Sequence, residues 1–184
     1  MIFIIAMVSK ARKQPMKFEK ITYSQFEKDI GNLTIRHDHD EWEIEDMYNY
    51  LKMPCRATSG SAGYDFYMPC KVWIEPKTAV TIPTVIKLDL DKSKVLEIYP
   101  RSGLGFKHGV RLMNTVGIID ADYYNNESNE GHIMIKVYNP SDIALELAAG
   151  SAFAQGIIKE YFLVDDDEPR IKTRTGGMGS TDAK

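Results

Sequence analysis

The sequence predicts an all-β domain that carries a small helical N-terminal extension. From Pro54 onward, short apolar runs are separated by clusters of Pro, Gly, Asn, Asp and Ser, and no helix-length segment interrupts them. The runs read KVWIE, AVTI, TVIKLDL, KVLEIY, HIMIKVYN, IALEL and AFAQGIIKEYF. Short strands at this spacing favour a sandwich, jelly roll or barrel over a sheet with crossover helices.

Length, charge and cysteine content narrow the class of protein. The 184 residues with 43% hydrophobic content suffice for one sizeable core. A net charge of -3 gives no basic surface for duplex nucleic acid, so any nucleotide partner is expected to be small. Cys55 and Cys70 lack zinc-ligand spacing with His, which predicts two free thiols in a reducing, cytoplasmic setting.

Residues 1–55 form a separate compositional zone that we predict to be an N-terminal extension of unknown role. The opening MIFIIAMV is too short for a membrane span and lacks a preceding basic stretch, so neither membrane association nor export is expected. It is either a first strand or a mis-started leader. The HDHD sequence at residues 37–40 is a possible metal pair, but a solvated loop is the better interpretation.

Two short helices are predicted within this extension. Ser24 is expected to cap the first, which runs to about Ile30. The second is expected from Asp40 to Leu51. Its apolar side is predicted to comprise Trp42, Met47, Tyr50 and Leu51.

The stretch NTVGIIDADY, at residues 114–123, is the one around which the rest of the chain is organised. Ile118 and Ile119 are stiff, β-branched residues that favour a strand. Asp120 is therefore expected at a strand end, where its direction is fixed. Taken alone, DAD is also typical of an Asp-rich turn.

Two polar residues are predicted to lie among apolar neighbours. Asp65, in SAGYDFY, is a hard oxygen donor suited to Mg²⁺ or to waters bound on it, although this stretch is also an ordinary turn into a strand. Gln155, in AFAQG, places an amide inside an apolar strand, where it needs a hydrogen-bonding partner.

Two glycine-containing stretches could bind anions. PRSGLGFKHG offers Arg101, Ser102 and the backbone amides around Gly103 and Gly105 as an oxyanion cradle; the alternative is a turn whose Arg101 caps a carboxylate. TGGMGST, preceded by Arg174, suits main-chain wrapping of phosphates but is also typical of a mobile tail. It is not a Walker A loop, because no Gly-Lys-Ser/Thr follows.

Together, and in this order, the five stretches resemble the five motifs of the trimeric, all-β dUTP diphosphatases (dUTPases). The resemblance runs from about Arg56 to Thr181. It implies a jelly roll at residues 56–164 and a homotrimer with active sites shared between subunits. It also implies a Gly-rich arm at residues 165–184 that closes over a neighbour's pocket.

The resemblance implies hydrolysis of dUTP to dUMP and pyrophosphate by Mg²⁺-assisted attack of water on the α-phosphorus. Such a reaction limits uracil incorporation into DNA and supplies dUMP for thymidylate synthesis. Asp120 matches the catalytic aspartate that orients the water as general base. Asp65 matches the aspartate that holds waters bound to Mg²⁺ rather than the ion itself.

The resemblance also assigns the substrate contacts. Arg101, Ser102 and Gln155 match residues that contact phosphates. Asn114 matches the residue that reads uracil beside a hairpin backbone, and Tyr123 matches the ring that packs on deoxyribose and leaves no room for a 2'-hydroxyl. The implied substrate-binding set is completed by Gly103, Gly117, Arg174, Gly177, Met178, Gly179 and Ser180.

This sequence departs from the family pattern at several points. Residues 124–130, YNNESNE, enlarge a loop beside the base pocket, and the part at residues 125–130 could hold a protein partner. Ala152 stands where an Arg is usual, and Met178 where an aromatic commonly covers the uracil. Arg174 lies one residue closer to the glycines than usual.

Two alternatives to dUTP hydrolysis follow from the same fold. The dCTP deaminases carry a catalytic glutamate in the strand that here reads IMIKVYN, but the matching residue is Lys136, whose ammonium cannot accept a proton at neutral pH. Deamination, alone or as a second activity, is therefore disfavoured. The other alternative is a regulatory module that binds a protein, since fold alone does not fix function.

Overall fold

The computed structural model describes residues 15–31, 43–169 and 176. Within these ranges the chain forms twelve strands, three α-helices and one 3-10 helix, which confirms the all-β class. The strands are β1 (Lys17–Lys20), β2 (Cys55–Arg56), β3 (Tyr64–Tyr67), β4 (Val72–Ile74), β5 (Ala79–Pro83), β6 (Ile86–Asp89), β7 (Lys94–Pro100), β8 (Arg111–Leu112), β9 (Gly117–Ile119), β10 (Met134–Tyr138), β11 (Leu145–Leu147) and β12 (Ala152–Glu160). The helices are α1 (Tyr23–Gly31), α2 (Ile44–Tyr50), α3 (Ser102–His108) and the 3-10 helix Ala121–Tyr123.

The strands pair antiparallel in a jelly-roll-like arrangement of four small sheets. The largest has the order β2-β3-β12-β7-β9, and a second has the order β5-β10-β8. Two pairs, β1-β6 and β11-β4, complete the set in the described part of the chain. Neighbours such as β12 and β3 are distant in sequence, so the site depends on long-range pairing.

One hydrophobic core joins the four sheets. The alternation expected of half-buried strands is seen in β10, where Ile135 and Val137 point inward and Lys136 is exposed. Buried side chains from every sheet belong to the same cluster; examples are Leu88, Ile82, Ile74, Phe66 and Leu96. The long β7–β12 pair runs from Lys94 opposite Glu160 to Pro100 opposite Ala154.

The described part of residues 1–55 packs on this core. Phe26 of α1 and Met47 of α2 are buried in the same cluster as the sheets, as is Ile21, which follows β1. We therefore propose that the extension and the β domain share one core, and that the extension stabilises the domain.

Two predictions about these helices need correction. Thr22 caps α1, because its Oγ1 accepts the Gln25 N–H at 3.2 Å; Ser24 already lies inside the helix. Tyr50 is 72% exposed and does not belong to the apolar face of α2, because Tyr48 rather than Tyr50 packs against the core.

The expectation that no helix interrupts the strands is also wrong. Residues 102–108 form α3, which ends at Gly109 in the left-handed conformation with φ of +67°. A glycine at this position relieves the steric cost of that conformation. The sequence SGLGFKH has two glycines within seven residues, so helix propensity alone disfavours the helix. Its end is set by Gly109, whose N–H donates to the Gly105 and Leu104 carbonyls.

The other predictions from the sequence concern the cysteines, membrane spans and parts of residues 1–55. Cys55 and Cys70 are free thiols, as expected. Among the described residues, no helix is both long and apolar enough to cross a bilayer. The MIFIIAMV segment, the HDHD sequence and the predicted start of the second helix at Asp40, with Trp42, lie outside the described residues.

Candidate active site

A pocket of about 390 Å³ lies against β10 and the turn that joins β8 to β9. Four predicted site residues, Asn114, Gly117, Asp120 and Tyr123, line it together. The rest of the lining is mainly apolar: Ile98, Leu112, Met113, Ile118, Ile119, Ile133, Met134, Ile135 and Lys136. This volume and this mixture of apolar walls with a few polar groups are typical of a small-ligand site.

The turn between β8 and β9 brings Asn114 close to Gly117. Thr115 adopts φ of +65°, and the Val116 N–H donates to the Asn114 carbonyl at 2.7 Å, so the turn is tight. A Cβ on Gly117 would lie 3.1 Å from Ile98 Cβ and 3.9 Å from Asn114 Nδ2. A side chain at Gly117 would crowd Ile98, so glycine suits this close approach to β7, and the Asn114 amide lies beside it.

Asp120 follows β9 directly, as predicted. Its backbone is extended, with φ of -81° and ψ of 158°, and its carbonyl accepts the Tyr123 N–H at 3.1 Å to start the 3-10 helix. The residue is exposed and lines the pocket. The strand end thus fixes the main chain while leaving the carboxylate accessible to a ligand and to water.

Tyr123 forms a buried wall of the pocket. Only 5% of the residue is exposed. Its hydroxyl donates to the His132 carbonyl at 2.9 Å and accepts the Asn129 amide Nδ2–H at 2.8 Å. Both bonds fix the ring, so a ligand meets an aromatic surface of set orientation.

Asp65, Arg101 and Gln155 form a second group on neighbouring strands. Asp65 on β3 stands opposite Gln155 on β12, next to a β-bulge between Ala152 and Ala154. The Arg101 guanidinium pairs with the buried Asp65 carboxylate. The Gln155 amide donates to the Pro100 carbonyl at 3.3 Å, which supplies the partner that its strand position requires.

A smaller cavity of about 290 Å³ lies beside Arg101. It is lined by Arg101, Gly103, Leu104, Lys107, His108 and Ala152. The predicted cradle needs a correction here, because the Gly105 N–H donates to the Arg101 carbonyl within α3 at 3.0 Å. The N–H groups of Ser102 and Gly103 belong to the first turn, where a helix offers no internal acceptor.

Asp65 supplies the carboxylate of the group formed by Asp65, Arg101 and Gln155, and this carboxylate also pairs with Arg101. Among the residues that the structure describes, no group of three or more His, Cys, Asp or Glu side chains could hold a metal ion. The neighbouring Tyr67 is neutral, since a hydrogen bond with Cys55 together with burial raises the pKa of Tyr67 to about 12. A single carboxylate with hard oxygens fits waters carried on Mg²⁺.

The predicted residues of the C-terminal motif, Arg174, Gly177, Met178, Gly179 and Ser180, lie outside the described residues. The predicted site residues that the structure describes form two groups, one lining the pocket and one around Arg101. These features define an all-β protein with a small-ligand pocket, an accessible carboxylate at that pocket and a separate cationic cavity.

Comparison with known proteins identifies the family. The dUTPase family model matches residues 49–182. The deoxyuridine 5'-triphosphate nucleotidohydrolase of Lactococcus lactis is 40% identical over 134 residues, which cover 72% of this chain and 89% of that protein. The protein of the same name from Hahella chejuensis is 35% identical over 143 residues, covering 74% and 90%. The chain belongs to the dUTPase family.

Solved structures agree with this assignment. The crystal structure of dUTPase from Streptococcus mutans matches with a TM-score of 0.58 and 34% identity, covering 72% of this chain and 98% of that one. A mutant dUTPase from phage phi11 of S. aureus, described with a structural Mg(II) ion, matches with a TM-score of 0.53 and 20% identity, covering 66% and 92%. The second likeness shows the shared fold.

The sequence did not reveal every residue around the pocket. Lys136 is not among the predicted site residues, yet it lines the pocket from the outward face of β10. The strand alternation in MIKVY could have placed it outside the core. His132 and Asp29 support Tyr123 from behind, and no local pattern links two residues so far apart in the chain.

Proposed function

We propose that this chain is a dUTP diphosphatase that hydrolyses dUTP to dUMP and pyrophosphate. The observation that carries this proposal is the convergence of Asn114, Gly117, Asp120 and Tyr123 on one pocket. In the proposed role the enzyme lowers the dUTP available for incorporation into DNA and supplies dUMP for thymidylate synthesis.

The turn between β8 and β9 supplies uracil recognition. The Asn114 amide and the backbone polar groups of the tight turn can present donors and acceptors to a pyrimidine edge. The close fit of Gly117 against Ile98 supports a narrow slot, in which the 5-methyl of thymine would not fit. Tyr123 packs against deoxyribose, and its buried ring leaves no space for a 2'-hydroxyl.

Asp120 acts as the general base. Its exposed carboxylate accepts a hydrogen bond from a water and directs that water at the α-phosphorus. The water's proton passes to Asp120 as the new P–O bond forms and the bond to pyrophosphate breaks.

Arg101, Ser102 and Gln155 bind the phosphates. The Arg101–Asp65 pair supports a further detail: the arrival of a triphosphate gives the guanidinium a second anionic partner. Asp65 would hold waters carried on Mg²⁺. When bound, Mg²⁺ neutralises charge on the triphosphate and on the departing pyrophosphate.

A homotrimer with shared sites accounts for the separation of the two groups. On one chain the base pocket and the cationic cavity have different linings. We propose that subunits complete one another's sites and that residues 165–184 close over a neighbouring pocket. Arg174, Gly177, Met178, Gly179 and Ser180 would then reach the nucleotide from that arm.

A steady-state comparison of dUTP, UTP, dCTP and dTTP tests the proposal. With Mg²⁺ present we expect pyrophosphate release from dUTP and at most slow turnover of the other three; chelation should suppress the rate. Ammonia release from dCTP would indicate a deaminase instead. Turnover of none of the four would support a protein-binding role for the loop at residues 125–130.

A further inference from the structure

The N-terminal segment, outside the family match that begins at residue 49, contacts the loop that follows Tyr123. The Thr22 N–H and hydroxyl both donate to the Glu130 carboxylate, at 2.9 and 2.5 Å. The Tyr124 hydroxyl donates to Glu19 at 2.6 Å. Two departures from the family pattern, the extension and the enlarged loop, are thereby joined.

Asp29 of α1 and His132 form the innermost of these contacts. His132 Nδ1 lies 2.6 Å from Asp29 Oδ2, and the histidine is fully buried. Its Nε2 accepts the Val85 N–H at 2.9 Å. Since Nε2 acts as an acceptor, Nδ1 carries the hydrogen and donates it to the Asp29 carboxylate. Asp29 thus selects one tautomer and one ring orientation.

The Val85 backbone shows that this arrangement is built at some energetic cost. Val85 is a buried, β-branched residue with φ of +64°, a conformation that such side chains rarely adopt. Its N–H is held by His132, and its carbonyl accepts the Ile21 N–H at 3.0 Å. Strain of this kind persists only where surrounding contacts enforce it.

His132 transmits its position to the pocket through its own backbone. Its carbonyl accepts the hydrogen bond from the Tyr123 hydroxyl, and its N–H donates to the Asn129 carbonyl at 2.9 Å. Asn129 in turn donates to the Tyr123 hydroxyl. The next residues, Ile133 and Met134, line the pocket directly.

We propose that Asp29 and His132 are positioning residues for the sugar-binding wall, so that the N-terminal segment sets selectivity between deoxyribonucleoside and ribonucleoside triphosphates. This inference rests on the proposed function. Asp29 fixes the imidazole, the imidazole fixes the His132 backbone, and that backbone anchors the hydroxyl of Tyr123. If the Tyr123 ring moved because its hydroxyl lost this hydrogen bond, the pocket would have room for a 2'-hydroxyl.

The test is the ratio of kcat/KM for dUTP to kcat/KM for UTP. Asp29→Ala should lower this ratio by about tenfold, the scale of coupling between residues in one network. Asp29→Asn keeps an oxygen that accepts the Nδ1–H and should retain most of the ratio. Glu27→Gln removes the same charge from an exposed position of α1 and should leave the ratio unchanged.

A double-mutant cycle with Tyr123→Phe tests the route of this effect. Since Tyr123→Phe already removes the anchored hydroxyl, adding Asp29→Ala should cause little further loss of selectivity. Independent, multiplying effects would overturn the proposal. So would an unchanged ratio in a folded Asp29→Ala variant whose only defect is a lower melting temperature. If the alanine variant does not fold, the cycle is run with Asp29→Asn, whose smaller loss must still vanish in the Tyr123→Phe background.

The wild-type protein separates this inference from the proposed function. Wild type that hydrolyses no dUTP contradicts the proposed function itself. Wild type that prefers dUTP, combined with variants that keep the preference, contradicts only the positioning role.

Discussion

At Asp120, replacing one carboxylate oxygen by an amide nitrogen tests the proposed catalytic role without changing the shape of the side chain. Asp120 is exposed, its backbone is held by β9 and the 3-10 helix, and its side chain lines the pocket. An amide has nearly the same shape but cannot accept the proton of an attacking water. Catalysis at this residue can thus be probed without disturbing the fold.

Asp120→Asn should lower kcat for dUTP by roughly a thousandfold, while dUTP affinity and the melting temperature stay close to wild type. Single-turnover kinetics and calorimetric titration with a non-hydrolysable analogue measure the two quantities. The neighbouring exposed carboxylate gives the matched variant Asp122→Asn, which should retain activity. A near-native kcat in Asp120→Asn would remove this residue as the base.

Gly131 is constrained both by its conformation and by its neighbours. Its φ is +82°, and an added Cβ would lie 2.6 Å from the Tyr123 carbonyl oxygen and 2.9 Å from Tyr124 Cα. Gly150 shares the left-handed conformation, with φ of +68°, but a Cβ there meets nothing within 4 Å. A side chain at Gly131 would therefore meet both backbone strain and a steric clash, whereas one at Gly150 would meet backbone strain alone.

Gly131→Ala should lower the free energy of unfolding by more than about 2 kcal/mol, because strain and a collision with backbone act together. Gly150→Ala should lower it by only about 1 kcal/mol, since strain acts alone. Denaturant unfolding of both variants provides the comparison. Equal losses would mean that the loop after Tyr123 moves aside freely.

Among the secondary-structure elements, α1 and the residue before it are attached by ionised carboxylates in addition to the apolar core. Burial raises the pKa of Asp29, but hydrogen bonds from His132 and Gln25 outweigh it, so the pKa lies below its ordinary value. Burial also raises the pKa of Glu130. Hydrogen bonds from Thr22, together with Lys87, outweigh burial, so this pKa too lies below its ordinary value. Both groups connect the N-terminal segment to the loop behind the pocket.

Acid should release this segment before the sheets unfold. The pKa of each carboxyl is lower in the folded protein than in the unfolded chain. Each carboxylate therefore contributes its full stabilisation of the folded state above the ordinary carboxyl pKa of about 4. This contribution is lost as the pH falls through the lowered pKa. Hydrogen exchange should show the protection of the Thr22 and Gln25 amides falling at acidic pH while that of β7 and β12 persists. Asp29→Asn should weaken this pH dependence. Parallel loss of protection in all four places would contradict it.

For the whole molecule, the proposed trimer makes assembly part of the chemistry, because the base pocket and the cationic cavity of one chain have different linings. We propose that a triphosphate meets both groups and that the C-terminal residues add glycine N–H donors and Arg174. These donors become useful only when an anion is present to bind them. The arm is therefore expected to act on turnover rather than on folding of the β domain.

Removal of residues 171–184 should leave a folded trimer with greatly reduced turnover of dUTP. Light scattering checks the mass, expected at three times that of the chain, and steady-state kinetics checks the activity. Removal of the last three residues alone, 182–184, leaves TGGMGST intact and should preserve activity. Unchanged turnover in the longer truncation would refute closure by the arm.

The strand positions were predictable because short apolar runs bounded by turn-forming residues are a local signal. KVLEIY, HIMIKVYN and AFAQGIIKEYF became β7, β10 and β12 with bounds close to those expected. The Asp120 position at a strand end was predictable for the same reason. By contrast, α3 was missed, because its two glycines oppose helix formation in the local sequence.

The sequence by itself determined the all-β class, the order of the five motifs and the chemical identity of the groups presented to a ligand. These are properties of neighbouring residues. Only the tertiary structure decided that Arg101 pairs with Asp65, and that Asp29 and Glu130 fasten the N-terminal segment behind Tyr123. Those contacts join residues distant along the chain, and their formation depends on sheet pairing and burial that no short stretch encodes.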